Sequence, residues 1–278
     1  MAGTILLGVD VESNGPPSET YARLGPPMLE GLGISATWYV TGQTLERYPK
    51  AFVEAEKCGC VELQAHTYSH MLLKSICVEI PPGRTYAGAE GWLCQRGGSN
   101  EQIEADLARC QQVFRDVLGH PADALTGPWG YYRGLMDRPD LLDIVRAQGF
   151  RILRTFARDE RDAEPVPLDW QPFFYEPQGF GDVLELCVHG YQDEGNFAWL
   201  TGGTITDDWL ACLRALADRA AAEDLVWSLA SHDHRCHTPE GFAAKTAWIE
   251  QIVRYAQPLG IRFLTASQFY EERLACKP

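Results

Sequence analysis

Two carboxylates and two imidazoles pose the first chemical question in this chain. Asp10 and Glu12 end the apolar run Ile5-Leu6-Leu7-Gly8-Val9, and His66 and His70 stand four residues apart in "ELQAHTYSHM". Charges at the end of a buried strand are costly unless something binds or uses them. An HxxxH pair coiled into a turn can aim two rings at one ion. Two imidazoles and one carboxylate then make a metal site with positions open for water and substrate. The alternative for Asp10 and Glu12 is a set of salt bridges to arginine with no ion. Ser69 and Ser231 suggest no serine hydrolase, because the chain has no G-x-S-x-G elbow.

These residues need elements to position them. Strands are predicted at 4–9, 34–40, 61–66, 123–127, 151–155, 183–188, 225–231 and 261–265, and amphipathic helices at 100–119, about 138–148, 206–222 and 239–257. In 100–119, Ile103, Leu107, Cys110, Val113, Phe114 and Val117 recur at helical spacing, and Gly119 closes the last turn. Alternating β and α elements imply a mainly parallel sheet with right-handed crossovers. Seven or eight such units predict a closed or nearly closed (β/α) barrel, spanning 1–278 as one domain. In such barrels chemistry sits at the C-terminal strand ends, where Asp10, His66, Pro128 and His232 fall. Three connections, about 71–99, 156–182 and 189–205, are too long for plain turns. They carry Tyr86, Trp92, Trp170, Phe173, Phe174, Tyr175, Phe197 and Trp199, with a Pro81-Pro82-Gly83 break in the first, and read as binding loops or lids.

Composition narrows the partners. The 278 residues carry a formal net charge of −14, which argues against a nucleic-acid partner. No apolar segment reaches the roughly 20 residues that span a bilayer. The start "MAGTILLGVD" lacks a basic n-region and reads as a strand rather than a signal peptide. Nine cysteines, an odd count with no CxxC, suggest reduced thiols and a cytoplasmic location. Cys58-Gly59-Cys60, the close pair, reads as a helix end and the turn after it, with a metal or redox site as the alternative.

The ordered motifs resemble those of the polysaccharide deacetylases of carbohydrate esterase family four, the NodB-homology family. Val9-Asp10-Val11-Glu12 stands at the family's first motif, where two acids are usually adjacent. His66-Thr67-Tyr68-Ser69-His70 matches the H-S/T-x-x-H motif in full. Thr126-Gly127-Pro128-Trp129-Gly130 stands where the family has R-x-P, an aromatic and Gly, and Leu229-Ala230-Ser231-His232 matches L-x-x-H. The resemblance implies a distorted, often seven-stranded barrel and a divalent metal whose water attacks an acetamide. It makes Asp10 the base, Glu12, His66 and His70 the metal ligands, and His232 the acid that protonates the leaving amine. The Trp129 N–H would help bind the oxyanion, with Pro128, Tyr131, Trp92 and His189 as further substrate-side candidates. One divalent ion is expected, zinc first, with Co2+, Ni2+ or Mn2+ as alternatives.

The departures are specific. Val11 separates the acids, but residues two apart on a strand share a face, so both can look into the barrel mouth. Thr126 replaces the third-motif arginine that orients the base; Arg133, Arg154 and Arg158 are the candidates to stand in, and spacing does not choose. No clear D-x-x-D-W motif is present; "LDWQPF" keeps Trp170 but sits late. Glu185, His234 and His237 are minor candidates, and His120 reads as helix-end chemistry. The expected function is metal-dependent removal of an acetyl or small acyl group from an amino sugar or sugar-containing metabolite. The alternatives are hydrolysis of a non-sugar amide such as a ureide, and an inactive barrel that only binds.

Overall fold

β1 (Thr4–Val11) is buried along its whole length because its two faces meet two different interiors. Ile5, Leu7, Val9 and Val11 point outward into the main core under the helices. Leu6, on the opposite face, joins a second cluster inside the barrel with Tyr39, Ala124, Ile152, Leu184, Leu186, Ala266 and Phe269. That inward row continues through Gly8 to Asp10 and Glu12, so the period of two brings both acids to the barrel mouth with Val11 packed away. The computed structural model describes residues 3–80, 82–83, 89–160, 165–190, 193 and 207–277. Tyr86, Phe197, Trp199 and Pro81 of the loop expectations lie outside them.

The chain continues through α1 (Pro16–Leu32), β2 (Ala36–Val40), α2 (Gly42–Arg47), α3 (Pro49–Glu56), β3 (Val61–Ala65), β4 (Ile76–Glu79) and β5 (Trp92–Gln95). Next come α4 (Asn100–Leu118), β6 (Ala124–Tyr132), α5 (Pro139–Ala147), β7 (Ile152–Arg158), β8 (Phe173–Tyr175) and β9 (Phe180–Glu185). The last described elements are α6 (Asp207–Glu223), β10 (Val226–His232), α7 (Pro239–Ala256), β11 (Arg262–Phe263) and α8 (Ala266–Ala275). Helix α4 starts at a capping box in which the Ser99 hydroxyl and the Gln102 side chain satisfy each other's backbone N–H, and it ends at Gly119 in a left-handed turn.

The sheet order is β10-β1-β2-β3-β6-β7-β9-β8. The seven strands from β10 to β9 pair in parallel, which is the predicted distorted barrel. β8 adds an antiparallel edge, and β11 fills the part of β1 that β2 leaves unpaired. Side chains bridge the seam between the β8–β9 edge and β10. Gln171 Oε1 accepts from Val226 N–H at 2.8 Å while its Nε2 donates to Val226 O at 3.1 Å. His189 N–H donates to Ser228 O, and His189 Nδ1 accepts from Ser228 N–H, both at 3.0 Å.

The predicted loop 71–99 contains an ordered arm, the antiparallel pair β4–β5. Cys77 and Cys94 face each other across it and form a disulfide, which corrects the expectation that the thiols are all reduced and removes the compartment argument built on it. Among the described residues, no helix is long and apolar enough to cross a membrane.

Candidate active site

The cleft at the C-terminal strand ends measures about 240 Å³. Asp10, Glu12, His70, Thr126, Trp129, Arg154, Arg158, His232 and His234 line it. The Glu12 Oε2 atom lies 2.6 Å from His66 Nε2 and 2.9 Å from His70 Nε2, and Oε1 lies 3.1 Å from His234 Nε2. Burial opposes ionisation of Glu12, yet hydrogen bonds from His234, His66 and His70 hold its carboxyl well below the usual range.

The donor set fits a metal ion. His66 Nδ1 lies 3.2 Å from the Thr126 carbonyl, which can only accept, so Nδ1 carries the proton. A neutral ring would then turn the Nε2 lone pair to a carboxylate oxygen, so the pair is balanced either by a second proton on Nε2, donated to Glu12, or by a cation held between the two groups. Burial disfavours a charged His66 ring, but Glu12 and Asp10 outweigh it and raise its pKa. One donor atom from each of Glu12, His66 and His70 lies within 4.8 Å of the others, as a three-ligand site requires.

The local backbone is built to hold these rings. Thr67 and His70 adopt left-handed φ values of 54° and 60°, which coils the H-T-Y-S-H segment. Asp106, from α4, fixes that turn by accepting from the Tyr68 and Ser69 backbone N–H groups and the Ser69 hydroxyl. Buried Asp233 does the same for the chain leaving β1: it accepts from Glu12 N–H, Ser13 N–H, the Ser13 hydroxyl and the Ser18 hydroxyl. Non-glycine residues in left-handed conformations cost on the order of 1–3 kcal/mol each, so tertiary contacts must hold them.

Asp10 has its own support. Arg154 Nη1 donates to Asp10 Oδ1 at 2.8 Å and to Thr126 Oγ1 at 2.9 Å, and the Thr126 hydroxyl donates to the Arg154 carbonyl at 2.8 Å. Of the three candidate arginines, Arg154 is thus the one on Asp10, reaching from β7 across the register pair Thr126–Arg154. Gly8 clears its path: a Cβ there would lie 3.0 Å from Arg154 Nε. Arg158 instead donates from Nε to the Trp129 carbonyl at 2.7 Å.

His232 Nε2 lies 3.7 Å from Asp10 Oδ2, and its Nδ1 donates to Asp193 at 2.7 Å. Asp193 also accepts from Ser231 Oγ and His232 N–H and pairs with Lys245 Nζ at 3.1 Å. Burial disfavours the imidazolium, but Asp193 outweighs it, with help from Glu12 and Asp10, and raises His232 to about 9. No spacing in the sequence marked Asp193, which enters from the 189–205 connection. His234 stacks on His232 at a ring distance of 5.2 Å.

Trp129 lines the cleft at φ 68°, where the β6–β7 register shifts between Thr126 and Tyr131. Such a bulge re-aims backbone groups beside a site. Pro128 is buried, and the wall there is made by Gly127, Trp129 and Gly130. Three of the substrate-side candidates lie outside the cleft lining. The buried Tyr131 accepts from Leu73 N–H at 2.8 Å and so anchors the start of the arm. Trp92 projects from β5 into solvent, away from the cleft lining. His189 stands at a strand end as expected, but its ring is spent on the barrel seam, with Nε2 donating to Trp170 O at 2.5 Å. Glu185 is also structural: buried, it accepts from Thr155 and Phe156 N–H and the hydroxyls of Thr155 and Tyr175.

The family profile described as polysaccharide deacetylase matches residues 4–152, more than half of the chain. The chain belongs to the polysaccharide deacetylase family. It is accordingly a hydrolase of the class that cleaves amide and ester bonds. Solved structures share the fold at low identity. The PuuE allantoinase superimposes with a TM-score of 0.68 at 13% identity, covering 99% of this chain and 91% of that one. A protein described as a probable polysaccharide deacetylase from Pseudomonas aeruginosa PAO1 gives 0.66 at 13% identity, covering 99% and 92%. A family 4 carbohydrate esterase from Streptomyces lividans, in complex with acetate, gives 0.53 at 15% identity, covering 94% and 91%. No match was found among curated proteins. At these identities the structural likeness speaks for the fold alone.

Proposed function

We propose that this deacetylase-family hydrolase removes an acetyl or other small acyl group from the nitrogen of an amino sugar or sugar-containing metabolite, with one divalent metal ion, zinc first. The observation that carries the reading is the convergence, in one cleft, of the Glu12–His66–His70 donor set with an arginine-held carboxylate and an aspartate-held imidazole. A divalent ion bound by Glu12, His66 and His70 would polarise the scissile carbonyl and acidify a water. Asp10, fixed by Arg154, accepts the proton of the attacking water. His232, kept protonated by Asp193, returns a proton to the departing nitrogen. The Trp129 backbone, bulged at the cleft wall, would supply an N–H to the carbonyl oxygen as negative charge develops there.

Hydrolysis of a small non-sugar amide such as a ureide is the second reading. It is favoured by the cleft volume, which lies below the roughly 300 Å³ at which ligand pockets usually begin, and is compatible with an allantoinase sharing the fold.

The test pairs metal content with acetate release from N-acetylated amino sugars and ammonia release from ureides. Glu12→Gln should lose metal affinity by roughly tenfold or more, with activity partly restored by excess metal. Asp10→Asn should keep metal and lose turnover that excess metal does not restore. The reverse pattern would show the two roles exchanged, and a metal-free protein of full activity would end the metal reading.

A further inference from the structure

A second group of ligand-type atoms lies at the opposite end of the barrel. Cys58 follows α3 and Cys60 precedes β3, so both sit at the N-terminal end of a parallel strand whose other end leads to His66. Their sulfurs are 2.9 Å apart, and Cys60 N–H donates to Cys58 Sγ at 3.3 Å. A Glu30 carboxylate oxygen, from the last turn of α1, lies within 4.8 Å of both sulfurs. Gly59 between them has φ 74°, and a side chain placed there would meet no atom of the described residues within 4 Å. The cysteines are half-buried and Glu30 is exposed, which leaves an approach from solvent.

We propose that Cys58, Cys60 and Glu30 form a second cation site, selective for a thiophilic ion with zinc first, independent of the catalytic cleft. Two thiolates are soft donors that favour Zn2+ over Mg2+ or Ca2+, and a carboxylate beside them completes three ligands, with solvent as the fourth. Binding releases the two thiol protons to solvent and transfers no electrons. Without an ion the Cys60 thiol stays protonated, because burial, Cys58 and Glu30 together push it up to about 12. A divalent charge reverses that balance. Tetrahedral zinc with bonds of about 2.3 Å separates two sulfurs by roughly 3.8 Å, so the pair must open by about an ångström. Among the described residues, no neighbouring atom lies within 4 Å of the Cβ position of Gly59, so the turn has room for that movement. The bound ion would tie the C-terminal turn of α1 to the start of β3.

The test uses fully reduced, metal-free protein titrated with Cd2+ or Co2+. The catalytic donors contain no sulfur, so a sulfur-to-metal charge-transfer band reports thiolate ligation alone. The wild type should develop that band within the first two equivalents, the catalytic donors taking up the other without a band, and Cys58→Ser/Cys60→Ser should lack it. Glu30→Gln should keep the band and bind roughly tenfold or more weakly. Alkylation mapping of the wild type requires no variant: Zn2+ should protect Cys58 and Cys60 together, and Mg2+ should not. A missing band, a band that survives in the double serine variant, or zinc that leaves both thiols equally reactive would overturn the site. None of these outcomes depends on the catalytic reading.

Discussion

Replacing Arg154 is the sharpest test of how the cleft is organised. Its guanidinium is buried and holds Asp10 through one bond of 2.8 Å, with the Asp10 side chain 11% exposed. Its Nε and Nη2 atoms have no hydrogen-bond partner among the described residues, and the group stacks over the Tyr39 ring at 5.0 Å. A buried cation so incompletely paired is a poor source of stability, since desolvation consumes most of the Coulomb gain. Its value lies in fixing Asp10. A hydrogen bond to a charged group is worth about 1.5–3 kcal/mol, and each 1.36 kcal/mol is tenfold in rate. Arg154→Met should therefore lower kcat by roughly 10- to 150-fold, with KM changing much less, on an activated aryl acetate as on an N-acetyl substrate. Metal content should stay at the wild-type level, because Glu12, His66 and His70 do not touch Arg154. Adding Thr126→Arg should recover part of the loss, since the two positions are register partners and both open toward Asp10. A folded Arg154→Met protein with wild-type kcat would refute the positioning argument, and a parallel loss of metal would show that Arg154 shapes the whole site instead.

Two further outcomes concern titrating groups. His232 must be protonated to act as an acid, so kcat should fall as pH rises through about 9, and Asp193→Asn should move that fall to lower pH. A kcat–pH profile of the two proteins checks this, and an unmoved alkaline limb removes Asp193 from the catalytic account. His189 is neutral in the folded barrel because burial drops it from 6.5 to about 4. The unfolded chain takes up its proton first as the pH falls, so stability is full above pH 6.5 and is lost between 6.5 and 4, by roughly 3 kcal/mol in all. Urea unfolding at pH 7 and pH 5 should show about 2 kcal/mol of that loss in the wild type and a flatter dependence in a less stable His189→Gln variant; equal slopes would contradict it.

The residues that share a local pattern were legible from sequence, and those that meet only through register were not. Alternation along β1 placed Asp10 and Glu12 on one face, and the HxxxH spacing placed His66 and His70 beside them. Arg154 could be named only as one of three candidates, because its partner Thr126 lies on a neighbouring strand and the pairing is a property of the sheet. Asp193 carries no local signal at all: it is one carboxylate in a loop, and 39 residues separate it from His232. The ring contacts of His189 were hidden for a related reason. Its strand-end position was right, but its ring turns sideways to a strand that follows much later in the chain. Helix α1 is not among the predicted helices; it runs through Pro26 and Pro27, residues that ordinarily disfavour a helix interior, to Leu32, closed by Gly33 in a left-handed turn. The arm β4–β5 lay inside a segment whose Pro and Gly content read as a loop.

The departures at the first and third motifs belong together once the inward row of β1 is followed. Leu6 packs in the barrel floor, Gly8 clears the guanidinium, Asp10 receives it, and Glu12 reaches the imidazoles. Because that row advances two residues at a time, an acid at position 11 would point into the helix-facing core that Val11 now fills. Separating the acids by one residue therefore keeps both in the mouth on a strand that remains extended through Val11. The same geometry binds Thr126 to Arg154. A hydroxyl at 126 accepts from the guanidinium, whereas an arginine there would bring a second buried cation against Arg154 with only one Asp10 to share. The arginine on β7, the threonine on β6 and the glycine on β1 thus form one interdependent arrangement. A change at any one of the three is felt first at Asp10, before it reaches Glu12, His66 and His70.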